Sequence, residues 1–146
     1  MRKLPLIFVV DDDLLIQKLI KAELKTLKID VMCFSYGEES LLEMDMNPDI
    51  VILDYIFVQG DKPVLGGLEI LKEIRKVNAN VPVIILSGQK SGNAVLELIK
   101  LGIEEYVIKE KNFTSLLKEA VISILQDNNW LNIKDKWQNT NSKTKN

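Results

Sequence analysis

Four stretches of this 146-residue chain place polar residues directly after short apolar runs. Asp11-Asp12-Asp13 follows Leu6–Val10, Asp54 follows residues 50–53, Ser87 follows 81–86 and Lys109 follows 106–108. None of these polar residues belongs to the apolar periodicity around it. Carboxylates gathered at one place repel one another, and a bound hard cation relieves that repulsion. Mg²⁺ takes oxygen ligands in octahedral geometry and keeps several waters. With a lysine ammonium and a serine hydroxyl added, the set makes a site for an anion on a metal, and phosphate is the natural anion. The chain has no histidine and a single cysteine, Cys33. This removes His-based triads, imidazole bases, His-containing zinc sites, internal disulfides and Cys-cluster metal centres. Cys33 reads as a small buried hydrophobe. Asp13 reads as the N-cap of the following helix.

Positioning these residues falls to strands that alternate with helices. Leu6–Val10 and Asp30–Phe34 read as strands, as do 50–53, 81–86 and 106–108. Between them, Ile16, Ile20, Leu24 and Leu27 recur at helical spacing, with Leu19 beside them. Ser35 and Glu38 form a capping box that opens a helix to about Met46. Ile70, Leu71, Ile74 and Val77 mark a helical face over Gly67–Val77. A helix over 91–101 stops at Gly102, and a last helix begins after an Asn112 cap. Three of the strands are almost wholly apolar, as in a parallel sheet covered by helices on both faces. The expected architecture is an α/β open doubly wound sandwich, in which function gathers at the carboxyl ends of the strands.

Apolar residues make up 47% of the chain, enough for one sizeable core and too many for a disordered protein. The net charge of -2 leaves no electrostatic footprint for nucleic acid or an anionic membrane. The apolar run 4–10 is too short to span a bilayer and has no cleavage pattern, so a cytoplasmic protein is expected. Residues 128–146 differ in character: four lysines and one aspartate make them net +3, and both tryptophans of the chain lie there. Trp130, Ile133 and Trp137 are spaced for one helical stripe. The expectation is one domain over 1–127, then a helix extension to about Trp137 and a polar, disordered tail or linker. The 91–101 helix carries Val95, Leu96, Leu98, Ile99 and Leu101, more apolar residues than a single buried stripe needs. Either a partner surface or burial under the tail accounts for that excess.

Five segments, in order and nearly at the right spacing, resemble the receiver domain of two-component response regulators, the CheY-like superfamily. They are F-V-V-D-D at 8–12, P-D-I-V-I-L-D at 48–54, G-L-E-I-L at 67–71, V-I-I-L-S-G at 83–88 and Y-V-I-K at 106–109. The resemblance implies a (βα)5 flavodoxin-like sandwich with a five-stranded parallel sheet in the order 2-1-3-4-5. It implies that Asp54 is the phosphoacceptor and that Asp11, Asp12, Asp54 and the backbone carbonyl of Ile56 hold Mg²⁺. Lys109 would pair with the phosphoryl group, Ser87 would be the switch hydroxyl and Tyr106 the switch aromatic. Such a protein is a phosphorylation-activated switch rather than an enzyme. It takes its phosphoryl group from a sensor histidine kinase or histidine phosphotransfer protein. It acts through the surface of the 91–101 helix, the Tyr106 strand and the last helix, by homodimerisation or on a partner, with no direct nucleic-acid or membrane binding.

Three positions depart from the family pattern. Glu110 follows Lys109 where proline is usual, the stretch between Asp54 and Gly67 is about five residues longer than usual, and Ser87 stands where threonine is more frequent. A haloacid-dehalogenase-like phosphatase also uses an aspartate nucleophile and Mg²⁺, and Asp11-x-Asp13 fits its opening motif superficially. Leu15 then stands where that motif has threonine or valine, and Asp54 is left without a role. Nucleotide-binding glycine loops are absent. A pseudo-receiver, an interaction module that is never phosphorylated, would not need Asp11, Asp12, Asp54, Ser87 and Lys109 together.

Overall fold

The five apolar runs form one parallel sheet in a computed structural model that describes residues 4–55, 66–88 and 92–128. Strands β1 (Leu6–Val10), β2 (Asp30–Phe34), β3 (Ile50–Asp54), β4 (Val83–Ser87) and β5 (Glu105–Ile108) lie in the order β2-β1-β3-β4-β5. Helices α1 (Leu14–Leu24), α2 (Gly37–Leu42), α3 (Gly67–Val77), α4 (Gly92–Lys100) and α5 (Phe113–Asp127) make the connections. This is the doubly wound, flavodoxin-like arrangement that the sequence predicts.

Each strand feeds both faces, because successive side chains alternate. Ile7 and Val9 of β1 join a core with Ile20 and Leu24 of α1 and Leu117, Val121 and Leu125 of α5. Leu6, Phe8 and Val10 join the other, with Ile70, Leu71 and Ile74 of α3 and Leu98 of α4. β1, β3 and β4 are buried along their whole length, which is why they read as continuous apolar runs.

Several boundaries shift from their predicted places. The first helix is α-helical only to Leu24 and tightens into a 3₁₀ turn over Lys25–Leu27, closed by Lys28 with φ of 55°. The capping box sits one residue later than Ser35 and Glu38: the Glu39 carboxylate accepts from the Tyr36 N–H at 3.1 Å. That helix ends at Leu42, and a 3₁₀ turn covers Met44–Met46. β4 begins at Val83 rather than 81, since Pro82 has no N–H to give the ladder. Asn112 does precede α5, but with φ of 73° and no side-chain cap bond. Gly102 closes α4 with φ of 78°, a conformation that suits glycine. Cys33 is half-buried rather than buried. Val77, counted in the apolar face of α3, points outward at 62% exposure. Ile56 and the Trp130–Trp137 stripe lie outside the described residues.

Candidate functional site

The register of the sheet explains how the polar residues meet. Val10 of β1 is opposite Leu53 of β3, so Asp11 leaves β1 level with Asp54. Asp54 is opposite Leu86 of β4, and Ser87 is opposite Ile108 of β5. Ser87 therefore stands one position beyond Asp54, and Lys109 one beyond Ser87. The four residues form a staircase along the carboxyl edge, and they are far more buried than their types would be at random. Asp11 is 0% exposed, Asp54 3% and Ser87 1%.

The charges are close-coupled. Lys109 Nζ lies 2.8 Å from Asp11 Oδ2 and 3.2 Å from Asp54 Oδ1. Burial pulls the Lys109 ammonium down, but contact with Asp11 and Asp54 more than offsets it, leaving the group above its ordinary value. Lysine is thus fixed in its charged form through the neutral range. One carboxylate oxygen from each of Asp11, Asp12 and Asp54 can be chosen so that all three lie within 4.8 Å of one another. Asp11 Oδ2 is buried and takes the Lys109 ammonium as its charge-assisted partner. A cradle of three carboxylates this close together fits a hard divalent cation.

The backbone holds this cradle rigidly. Asp13 N–H donates to Asp11 Oδ1 at 2.9 Å, while Asp13's own carboxylate accepts from the N–H groups of Leu15 (2.9 Å) and Ile16 (3.4 Å). Asp13 is therefore the cap of α1, as predicted, and its carboxylate is engaged there. Lys109 N–H donates to Ser87 O and Tyr55 N–H to Leu86 O, both at 2.8 Å, tying the ends of β5 and β3 to β4. Glu110, at the place where proline is usual, donates its N–H to Ile108 O at 2.7 Å.

Two contributors were not legible as site residues. Gln17 Nε2 donates to Asp11 O at 2.6 Å and, more weakly, to Ser35 Oγ at 3.4 Å, which pins the peptide between the two leading acids. Its one sequence signal is its place four residues after the Asp13 cap, on the helix face turned back toward β1. Gly67 packs against the backbone at the end of β3: a Cβ there would stand 2.7 Å from Asp54 O and 2.6 Å from Tyr55 Cα. Tyr106 is half-buried, opposite Ile85 of β4, and packs on the α3/α4 core. Leu98 of α4 is fully buried, whereas Leu96 and Ile99 are 60% and 58% exposed, so the apolar excess of this helix does face outward.

Residues 7–121 match the response regulator receiver domain family. The chain belongs to that family. It is 32% identical over 125 residues to a protein-glutamate methylesterase/protein-glutamine glutaminase of Trichodesmium erythraeum, covering 82% of this chain and 34% of that protein. It is 30% identical over 104 residues to the alkaline phosphatase synthesis transcriptional regulatory protein PhoP of Bacillus subtilis, covering 70% of this chain and 41% of PhoP. Both relatives are thus much longer than the stretch they share with it. Among solved structures, a response regulator receiver domain from Francisella superposes with a TM-score of 0.70 at 31% identity, covering 84% of this chain and 98% of that one. Phosphorylation-dependent signalling in two-component systems is the family's work. Among the described residues, no helix is long and apolar enough to cross a membrane.

Proposed function

We propose that Asp54 is the phosphoacceptor of a Mg²⁺-dependent switch, supplied by a sensor histidine kinase or a histidine phosphotransfer protein in the cytoplasm. The observation that carries this reading is the Lys109 ammonium held between Asp11 and Asp54 at the sheet edge. A carboxylate oxygen of Asp54 attacks phosphorus, the bond from phosphorus to the donor's leaving group breaks, and an aspartyl phosphate results. Such transfer needs alignment and neutralisation of charge on the equatorial oxygens more than covalent help. Asp11, Asp12, Asp54 and the carbonyl of Ile56 would hold Mg²⁺, which supplies part of that neutralisation. Lys109 supplies the rest by moving from carboxylate to phosphoryl oxygen. The Ser87 hydroxyl donates to the new dianion, and Tyr106 rotates toward the space that Ser87 leaves. The surface of α4, β5 and α5 then changes, and acts on a partner or a second copy of the chain.

Against a dehalogenase-like phosphatase stands Asp13, whose carboxylate caps α1. Against a pseudo-receiver stands the complete set of Asp11, Asp12, Asp54, Ser87 and Lys109. Intact mass after treatment with acetyl phosphate and Mg²⁺ is the direct test. One phosphoryl group should appear on the wild type and none on Asp54→Asn or in EDTA. Modification that survives in Asp54→Asn removes the reading.

A further inference from the structure

β5 is an edge strand among the described residues, where one side of its backbone has no neighbouring strand, a feature that proteins cover or blunt. An open groove runs along this edge between β5 and α5. Its apolar lining comes from Tyr106, Ile108, Leu116 and Ala120, with Leu116 54% exposed. Its acidic lining comes from Glu105, Glu110 and Glu119, and no basic side chain lines it among the described residues.

We propose that this groove is the seat of the chain's own segment 129–146. The proposal concerns a different surface from the phosphoryl site and stands whether or not Asp54 accepts phosphate. Charge is the first argument. Lys134, Lys136, Lys143 and Lys145 oppose one Asp135 in the segment, net +3, and they meet a groove with three glutamates. Apolar complementarity is the second. Trp130, Leu131, Ile133 and Trp137 supply large apolar side chains to a groove walled by Tyr106, Ile108, Leu116 and Ala120.

Reach is the third argument. The segment starts at the C-cap of α5, Asn128, and the groove runs back along that same helix through Ser123, Ala120, Glu119 and Leu116. At a rise of 1.5 Å per residue, Leu116 lies about 18 Å up the helix from Asn128. The nine residues from Asn128 to Trp137 span at most about 30 Å when extended, so the tryptophans can turn back and lie along the whole groove. A segment seated there covers Tyr106 and the outer face of α5. It therefore competes with any partner that uses the same face.

Both tryptophans of the chain lie in this segment, so intrinsic tryptophan emission of the full chain reports on it alone. In dilute, low-salt buffer the emission should be blue-shifted and quenched by acrylamide at least about twofold more weakly than in Leu116→Asp/Glu119→Lys. Leu116 and Glu119 are exposed, and far-UV circular dichroism verifies that the double variant folds. A second arm uses charge alone: Glu105→Lys/Glu119→Lys should release the tryptophans, and adding Lys134→Glu/Lys136→Glu should shield them again. Equal quenching in the wild type and both variants overturns the proposal. So does shielding that grows with protein concentration alongside a dimer in sedimentation, because the occupant is then a second copy.

Discussion

Two cationic side chains are drawn into this protein at opposite edges of the sheet, and they are satisfied in opposite ways. At the amino edge, Arg75 of α3 donates to Leu101 O and Gly102 O, both at 2.9 Å, and to Val81 O at 2.7 Å. Every partner there is a backbone carbonyl, and the guanidinium binds the end of α4 to the approach of β4. Burial pulls Arg75 below its ordinary value, with Glu104 opposing. At the carboxyl edge, Lys109 meets the carboxylates of Asp11 and Asp54, with that of Asp12 close by. The first arrangement is closed: each guanidinium nitrogen donates to a fixed, uncharged carbonyl. The second is open: three carboxylates lie close enough together to share one cation. A buried charge that ties backbone together is a structural device, and one set among close carboxylates marks a candidate site.

The largest effects should separate these two cations. Lys109→Met should slow Asp54 phosphorylation by acetyl phosphate roughly 100-fold or more, as removal of one oriented donor typically does. Its urea-unfolding free energy in saturating Mg²⁺ should be close to wild type. Arg75→Met should do the reverse, losing about 2–3 kcal/mol of stability through its orphaned carbonyls, with phosphorylation almost unchanged. Should both variants lose mainly stability, the distinction between closed and open charges fails.

Next in size is the cation itself. At a hundredfold excess over its dissociation constant, Mg²⁺ should raise the unfolding free energy by about 2.7 kcal/mol in wild type and in Arg75→Met alike. Asp11→Asn and Asp12→Asn should lose most of that gain in thermal melts with and without Mg²⁺. Asp13→Asn should keep it, because asparagine caps a helix as well as aspartate does. A greater loss from Asp13→Asn would place the acids one position out of register.

Gly67→Ala sharpens the contrast by disturbing the open site without touching a charge. Its Cβ forces the backbone of Asp54 and Tyr55 to shift, so the expected cost is about 1–3 kcal/mol. Mg²⁺ affinity should fall with it, which isothermal titration measures. The smallest effect concerns Cys33. Burial pushes its thiol up and Lys21 pulls it back only in part. Less thiolate is present near neutrality than for a free cysteine, and iodoacetamide labelling should reach half its maximal rate only above the ordinary thiol range.

The sequence made the fold legible because β1, β3 and β4 are buried on both faces and must be apolar throughout. It also drew attention to Asp11, Asp12, Asp54 and Ser87, which fall where those runs stop, and to Lys109, which follows the shorter run of β5. What it hid has a common cause: the partners are backbone atoms brought close by folding. Arg75 meets carbonyls as far as 27 residues away, Gln17 meets the carbonyl of Asp11, and Gly67 meets the main chain of Asp54. No pattern of side-chain types encodes such contacts. The slipped capping box follows a backbone donor too, since the Glu39 carboxylate takes the Tyr36 N–H and the helix starts one residue later.

The chain leaves β3 at Tyr55 and rejoins α3 at Gly67, and Gly67 N–H donates to Tyr55 O at 3.0 Å. Departure and return share one hydrogen bond. Whatever lies between is an appendix to a closed ring, and its length has little purchase on the strand it hangs from. Doubling such an excursion costs only about 0.6 kcal/mol of closure entropy. This is where an evolving lineage can lengthen the chain cheaply, and the additional residues relative to the family pattern stand there. It is also where a reporter peptide could be spliced in, directly after the proposed acceptor Asp54 in the chain, turning the site's chemistry into a signal without rebuilding the sheet.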